Sequence, residues 1–114
     1  MKKLLIVLIF FFSYTTYSQT AEEYYIKGVE KAGNGDYEGA ITDWTKAIEI
    51  DPKYVNAYYN RGISKYKLGD MNGACEDWRK AANLGDEDAQ DYLREHCNKQ
   101  KTHYLEFCLD VFRL

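Results

Sequence analysis

The sequence lacks the short motifs that identify most enzymes and metalloproteins. It has no Cys-x-x-Cys pair and no glycine-rich phosphate loop. Ser64 has no histidine near it in the sequence, so nucleophilic catalysis has no support. The best candidates for metal ligands are four histidine and cysteine residues near the C-terminus, but their spacing matches no common zinc pattern. They are His96, Cys97, His103 and Cys108. We therefore predict a non-enzymatic protein without a cofactor or a bound metal.

An excess of positive charge is also missing. The chain has 15 lysines and arginines against 18 aspartates and glutamates, which gives a formal net charge of −3. Binding to nucleic acid or to an anionic membrane surface requires a basic face. We therefore expect neither nucleic acid nor a membrane surface as the partner.

No apolar run is long enough to span a bilayer, which needs about 20 residues. The longest run, Leu4–Phe12, follows two lysines and precedes small and polar residues. This layout is typical of a secretory signal peptide. We predict that residues 1–18 are removed by cleavage after Ser18, and that the protein is exported to the periplasm or secreted. The alternative is an uncleaved membrane anchor.

One short stretch occurs twice. Residues 35–47 read GDYEGAITDWTKA and residues 69–81 read GDMNGACEDWRKA, with eight of 13 positions identical at a constant offset of 34 residues. Extended outward, the offset defines two copies, residues 21–54 and residues 55–88, with 12 of 34 positions identical. A repeat of this length determines the fold, because each copy is one supersecondary unit.

Each copy divides into two helices. Apolar residues at helical spacing and glycine-containing breaks between them predict four helices: Ala21–Ala32, Tyr37–Ile50, Asn56–Leu68 and Met71–Leu84. The residues that recur at the offset include an aromatic, a small residue four positions later, a small residue in the second helix and a tryptophan four beyond it. These are Tyr24, Gly28, Ala40 and Trp44, with Pro52 closing the unit, and then Tyr58, Gly62, Ala74 and Trp78.

This pattern resembles the tetratricopeptide repeat family. The resemblance implies an all-α fold, an α-solenoid of two helix hairpins. It also implies a structural core, in which the small residues allow close helix approach: Tyr24, Gly28, Ala40, Trp44, Ala47, Tyr58, Gly62, Ala74, Trp78 and Ala81. The family's usual leucine beside the first glycine and its usual tyrosine three residues later are basic here, namely Lys27 and Arg61, then Lys31 and Lys65. These departures lead us to expect looser packing.

Residues 89–114 follow the two repeats. Two repeats leave an apolar face open, so we expect a capping helix over Ala89–Asn98. The remaining tail, THYLEFCLDVFRL, is too apolar for a disordered segment. It is either a degenerate third repeat that docks on the stack, or else a loosely attached helix or an artefactual extension.

Three cysteines in an exported protein permit a disulfide and leave one thiol unpaired or paired between chains. Because adjacent helices touch in a stack of this family, a Cys75–Cys97 bridge is one expectation. A Cys97–Cys108 bridge and three buried thiols are the alternatives.

The resemblance implies that the first helices of successive repeats line a groove that binds a protein or a peptide. By analogy, seven residues would line it: Tyr25, Val29, Tyr59, Asn60, Ile63, Tyr66 and Arg94. The predicted function is a non-enzymatic protein-binding scaffold of the cell envelope or of the secreted fraction. The alternatives are a homo-oligomerising structural module that uses the apolar tail, and a thiol- or metal-binding protein.

Overall fold

The computed structural model describes residues 19–113, without the side chains of residues 100–102. The predicted signal peptide therefore lies outside the described residues. All secondary-structure elements of the described part are helices and none is a strand, so the predicted all-α fold is confirmed. Its elements are α1 (Ala21–Gly33), α2 (Tyr37–Ile50), α3 (Val55–Lys67), α4 (Met71–Asn83), α5 (Glu87–Tyr92), a π-helical segment (Leu93–Cys97) and α6 (Asn98–Phe112). Within residues 19–113 no helix has the length and apolar character needed to cross a membrane.

The same start and stop signals recur at the repeat spacing. A glycine with φ between 81° and 103° stands in each of the three turns that follow α1, α3 and α4, where the backbone reverses: Gly35, Gly69 and Gly85. An aspartate follows each glycine, and its carboxylate accepts a hydrogen bond of 2.8–2.9 Å from the backbone N–H three residues on: Asp36, Asp70 and Asp86. These N-caps satisfy amides that the next helix leaves unpaired. The chain is thus folded into antiparallel pairs, α1 with α2 and α3 with α4.

A tryptophan from the second helix of each hairpin forms the centre of the core. Trp44 and Trp78 are buried among alanines, and Trp78 is 0% exposed. Each indole lies against a glycine of the preceding helix. A Cβ atom on Gly62 would fall 2.6 Å from the Trp78 Nε1 atom, so this position has no room for any side chain. Nine of the ten predicted core residues are buried, and Tyr24 is half-buried.

Buried aspartates pair with the basic residues that depart from the family pattern. Lys31 Nζ lies 2.7 Å from the Asp43 carboxylate. In the second repeat Arg61 and Lys65 both reach Asp77, at 2.6 Å and 3.0 Å. These long side chains replace apolar contact by an ion pair across the hairpin.

The C-terminal part continues as one helix from Glu87 to Phe112, with five residues in π-helical geometry. A third hairpin would need a turn near residue 103, and the helix runs through that position without one. None of the described side chains of α6 belongs to the two core clusters. In the described residues the tail is therefore one helix without the turn of a third hairpin. The expected capping helix begins at Glu87 instead of Ala89, because Asp86 provides its cap.

A disulfide joins α4 to the π-helical segment. Cys75 and Cys97 are bonded, with Cα atoms 5.9 Å apart. Cys108 in α6 is free and half-buried, so neither the Cys97–Cys108 pairing nor three thiols occurs in the structure. The bond fixes the end of the capping helix against the second hairpin.

Candidate functional site

A mostly apolar pocket of about 150 Å³ opens between the first hairpin and α3. Its walls come from three helices, so it exists only because the second repeat packs against the first. The lining residues are Val29 and Ala32 of α1, Tyr37 and Trp44 of α2, and Asn60, Ile63 and Ser64 of α3. Three of the seven predicted groove residues, Val29, Asn60 and Ile63, meet here.

Asn60 is held at this pocket by a fourth predicted groove residue. Its side-chain amide donates a hydrogen bond of 2.9 Å to the Tyr25 hydroxyl. The Tyr25 ring in turn packs on Tyr54, with ring centroids 5.1 Å apart. This chain of contacts fixes the position of an amide group beside an apolar opening. Tyr25 therefore positions Asn60 and does not line the pocket itself.

The other three predicted groove residues lie elsewhere. Tyr59 packs edge-on against Tyr92 of α5, and Tyr66 packs against Trp78 and His96. Both tyrosines thus fill the contact between α3 and the capping helix. Arg94 is exposed and pairs at 3.2 Å with Asp91 on its own helix. None of these three residues is among those that line the pocket.

The environment of Tyr59 changes its acidity. Burial, together with Tyr92 close by, raises the pKa of Tyr59 from 10.0 to about 12. We expect an ultraviolet titration to show a tyrosine ionisation near pH 12, and this late step to be missing in Tyr59→Phe. The folded state keeps this proton between pH 10 and about 12, whereas the unfolded state loses it, so stability falls as the pH rises through that window. An unchanged late step in Tyr59→Phe would contradict this assignment.

Sequence reasoning missed part of the pocket lining. Ala32, Tyr37, Trp44 and Ser64 were not among the expected groove residues. One signal was present, because Ser64 follows Asn60 by four positions and residues four apart share a helix face. The contribution of α2 had no such signal, since it depends on how closely α3 approaches the first hairpin.

The described residues offer little for metal binding. Cys97 is bonded to Cys75 and is not available as a thiolate ligand. Within the described part of the chain, no group of three or more histidine, cysteine, aspartate or glutamate side chains is placed to hold an ion.

The comparison with known families supports the repeat. Residues 33–69 match a family model described as TPR repeat. The matched segment spans α2, the linker and α3, which are the elements on both sides of the junction between the two copies. No curated protein matches the chain.

Proposed function

We propose that this protein is a non-enzymatic scaffold that binds an extended peptide segment of a partner protein. The match over residues 33–69 identifies it as a tetratricopeptide repeat protein. Repeats of this family suggest a scaffold for protein–protein interaction. The observation that carries the more specific proposal is the open apolar pocket with Asn60 at its side.

The size and chemistry of the pocket define what it would bind. A cavity of about 150 Å³ is large enough for one benzene-sized group, so the pocket fits a single large apolar side chain. An asparagine amide has two donors and an acceptor, and it can therefore pair with a peptide backbone next to that side chain. Because the Tyr25 hydroxyl already orients Asn60, little conformational entropy is lost on binding.

We further propose that the protein acts outside the cytoplasm. Two observations support this location. The run Leu4–Phe12 has the layout of a signal peptide, and the Cys75–Cys97 disulfide is of a kind that persists in oxidising compartments.

Selection from a library of displayed random peptides tests the groove. We expect the full chain to enrich peptides that share one large apolar residue. Val29→Trp fills the pocket mouth with an indole and should abolish the enrichment. Val29 is 46% exposed, so the larger side chain does not disturb the core.

Ile26→Trp is the matched control, because it makes the same kind of change on the same helix at a residue that is 57% exposed and does not line the pocket. This variant should select the same peptides as the unmodified chain. Equal loss of enrichment in both variants, or enrichment that survives Val29→Trp, would show that the pocket is not the binding site.

A further inference from the structure

The last helix exposes an unusually apolar surface. Tyr104 is 73% exposed and Phe112 is 87% exposed. Four further large apolar side chains of α6 are also exposed: Leu105, Phe107, Leu109 and Val111. Contiguous apolar surface of this kind marks an interaction site more often than it marks an ordinary surface.

The exposed apolar residues of α6 form one face. Each residue turns an α-helix by about 100°, so the apolar side chains of residues 104–112 cover an arc of about 200°. Cys108 lies at the centre of this arc. The charged residues of the segment, Glu106, Asp110 and Arg113, lie on the opposite side of the helix. We call the arc the α6 face.

The residue types along the α6 face are nearly symmetric about its midpoint. Residues 104–112 read YLEFCLDVF. Around Cys108 as the midpoint, Phe107 matches Leu109, and Glu106 matches Asp110. Leu105 matches Val111, and an aromatic residue stands at each end, Tyr104 and Phe112. A two-fold axis that passes beside the midpoint of a helix, perpendicular to the helix, pairs these positions between two antiparallel copies, because such an interface brings residue i against residue j and j against i.

We propose that the α6 face is a dimer interface for a second copy of this chain, with the two α6 helices antiparallel and the two-fold axis passing beside Cys108. Tyr104 of one chain then packs against Phe112 of the other, and Leu105 packs against Val111. The small Cys108 side chains meet at the axis and allow the helices to approach closely. Glu106 and Asp110 point away from the contact and remain in water. This inference is independent of the peptide groove.

The area of the α6 face is sufficient for a specific but weak dimer. Its exposed apolar side chains provide on the order of 600 Å² per chain, or about 1,200 Å² for the pair, which is at the lower limit of standard interfaces. A monomer cannot bury this surface on its own repeats, because Glu87–Phe112 is one continuous helix with no turn to bring it back. A membrane surface fits the α6 face less well, since interfacial helices are rich in lysine and arginine on their polar side, where this segment has two carboxylates, Glu106 and Asp110, and one basic residue, Arg113.

Sedimentation of the full chain over a range of concentrations tests the association. We expect a monomer–dimer equilibrium in the micromolar range. Leu105→Glu places a carboxylate within the contact and should raise the dissociation constant by a factor of at least about 100. Glu106→Gln changes the neighbouring residue on the opposite side of the helix and should leave the dissociation constant unchanged. Circular dichroism should be the same for all three proteins, because the α6 side chains belong to neither core cluster.

Thiol oxidation with copper phenanthroline tests the geometry. Cys108 is the one free thiol of the described residues, so the unmodified chain should form a disulfide-linked dimer. In a Cys108→Ser background, Tyr104→Cys alone should not cross-link, because the two copies of residue 104 lie about 12 Å apart along an antiparallel pair. Tyr104→Cys mixed with Phe112→Cys should cross-link as a heterodimer.

Any one of four results would overturn the proposal. The first is a protein that stays monomeric at concentrations 100-fold above the expected micromolar dissociation constant. The second is a dimer that persists in Leu105→Glu. The third is efficient cross-linking of Tyr104→Cys with itself, which would show parallel helices. Flotation of the chain with neutral or anionic vesicles, lost in Leu105→Glu while the protein stays monomeric in solution, would likewise assign the α6 face to a membrane and overturn the dimer.

Discussion

Replacing Trp78 by alanine lowers the free energy of unfolding by about 3–5 kcal/mol, the range for truncating a buried large aromatic residue. The indole is fully buried and lies 5.0 Å from the Tyr92 ring and 5.9 Å from the Tyr66 ring, measured between centroids. It therefore joins α4 to both α3 and α5. Gly62 has no side chain that could move into the space, so the cavity remains.

Thermal and denaturant unfolding measure this effect. For a domain of this size we expect the melting temperature to fall by roughly 15–30 °C. Tyr104→Ala removes an exposed aromatic ring and serves as the control, with little change in stability for the monomer. An unchanged melting temperature in Trp78→Ala would mean that Trp78 is not the centre of the second core.

Replacing Cys75 and Cys97 together by alanine lowers the free energy of unfolding by about 3 kcal/mol, from the chain-entropy estimate for a loop of this length. The bond links residues 22 positions apart, and α5 lies entirely within that loop. Apart from this bond, α5 is held on the second hairpin by non-covalent contacts, which include Ala89 and Tyr92 in the second core cluster. We therefore expect α5 and the π-helical segment to separate from α4 first.

Hydrogen exchange of the double variant gives the location as well as the size of this effect. Protection of residues 87–97 should decrease more than protection of the first hairpin. Cys108→Ala is the matched control, because it also removes a thiol but belongs to no bond in the structure. Equal melting temperatures for the double variant and the unmodified chain would show that the disulfide adds nothing to the docking of α5.

The repeat itself was predictable from the sequence to within a residue or two. The second helix, Tyr37–Ile50, has the bounds that the periodicity predicted. α3 differs from its predicted bounds by one residue at both ends, and α4 differs by one residue at its C-terminal end. Local signals were sufficient here, because the turn glycines and the capping aspartates recur at the 34-residue offset. The identity of the core followed from the same recurrence.

The ion pairs could have been predicted and were not. Lys31 with Asp43, and Lys65 with Asp77, recur together at the same separation of 12 residues. This joint recurrence indicated that the basic and acidic residues interact. The basic residues were instead interpreted one at a time, as departures from the apolar family pattern, and the expectation of looser packing followed from that.

The conformation of the tail and the exposure of several predicted groove residues depend on packing that the sequence does not specify. The offset also relates Trp78 to Phe112, but a docked third hairpin needs a break where α6 continues as a helix. Tyr59 and Tyr66 have the spacing of groove residues, yet the capping helix covers them, because Tyr92 and His96 pack on that side. Whether the face of a helix is open depends on the element that comes next in the stack.

The disulfide gives the two ends of the molecule different mechanical properties. Pulling on the described chain from both ends would separate α1 from α2 and α3 from α4, since only non-covalent contacts hold the two helices of either pair together. The force would then reach Cys75 and pass through the sulfur–sulfur bond to Cys97, so that α5 bears no load. Both hairpins would extend, whereas the residues between the two cysteines would not be stretched while the bond is intact.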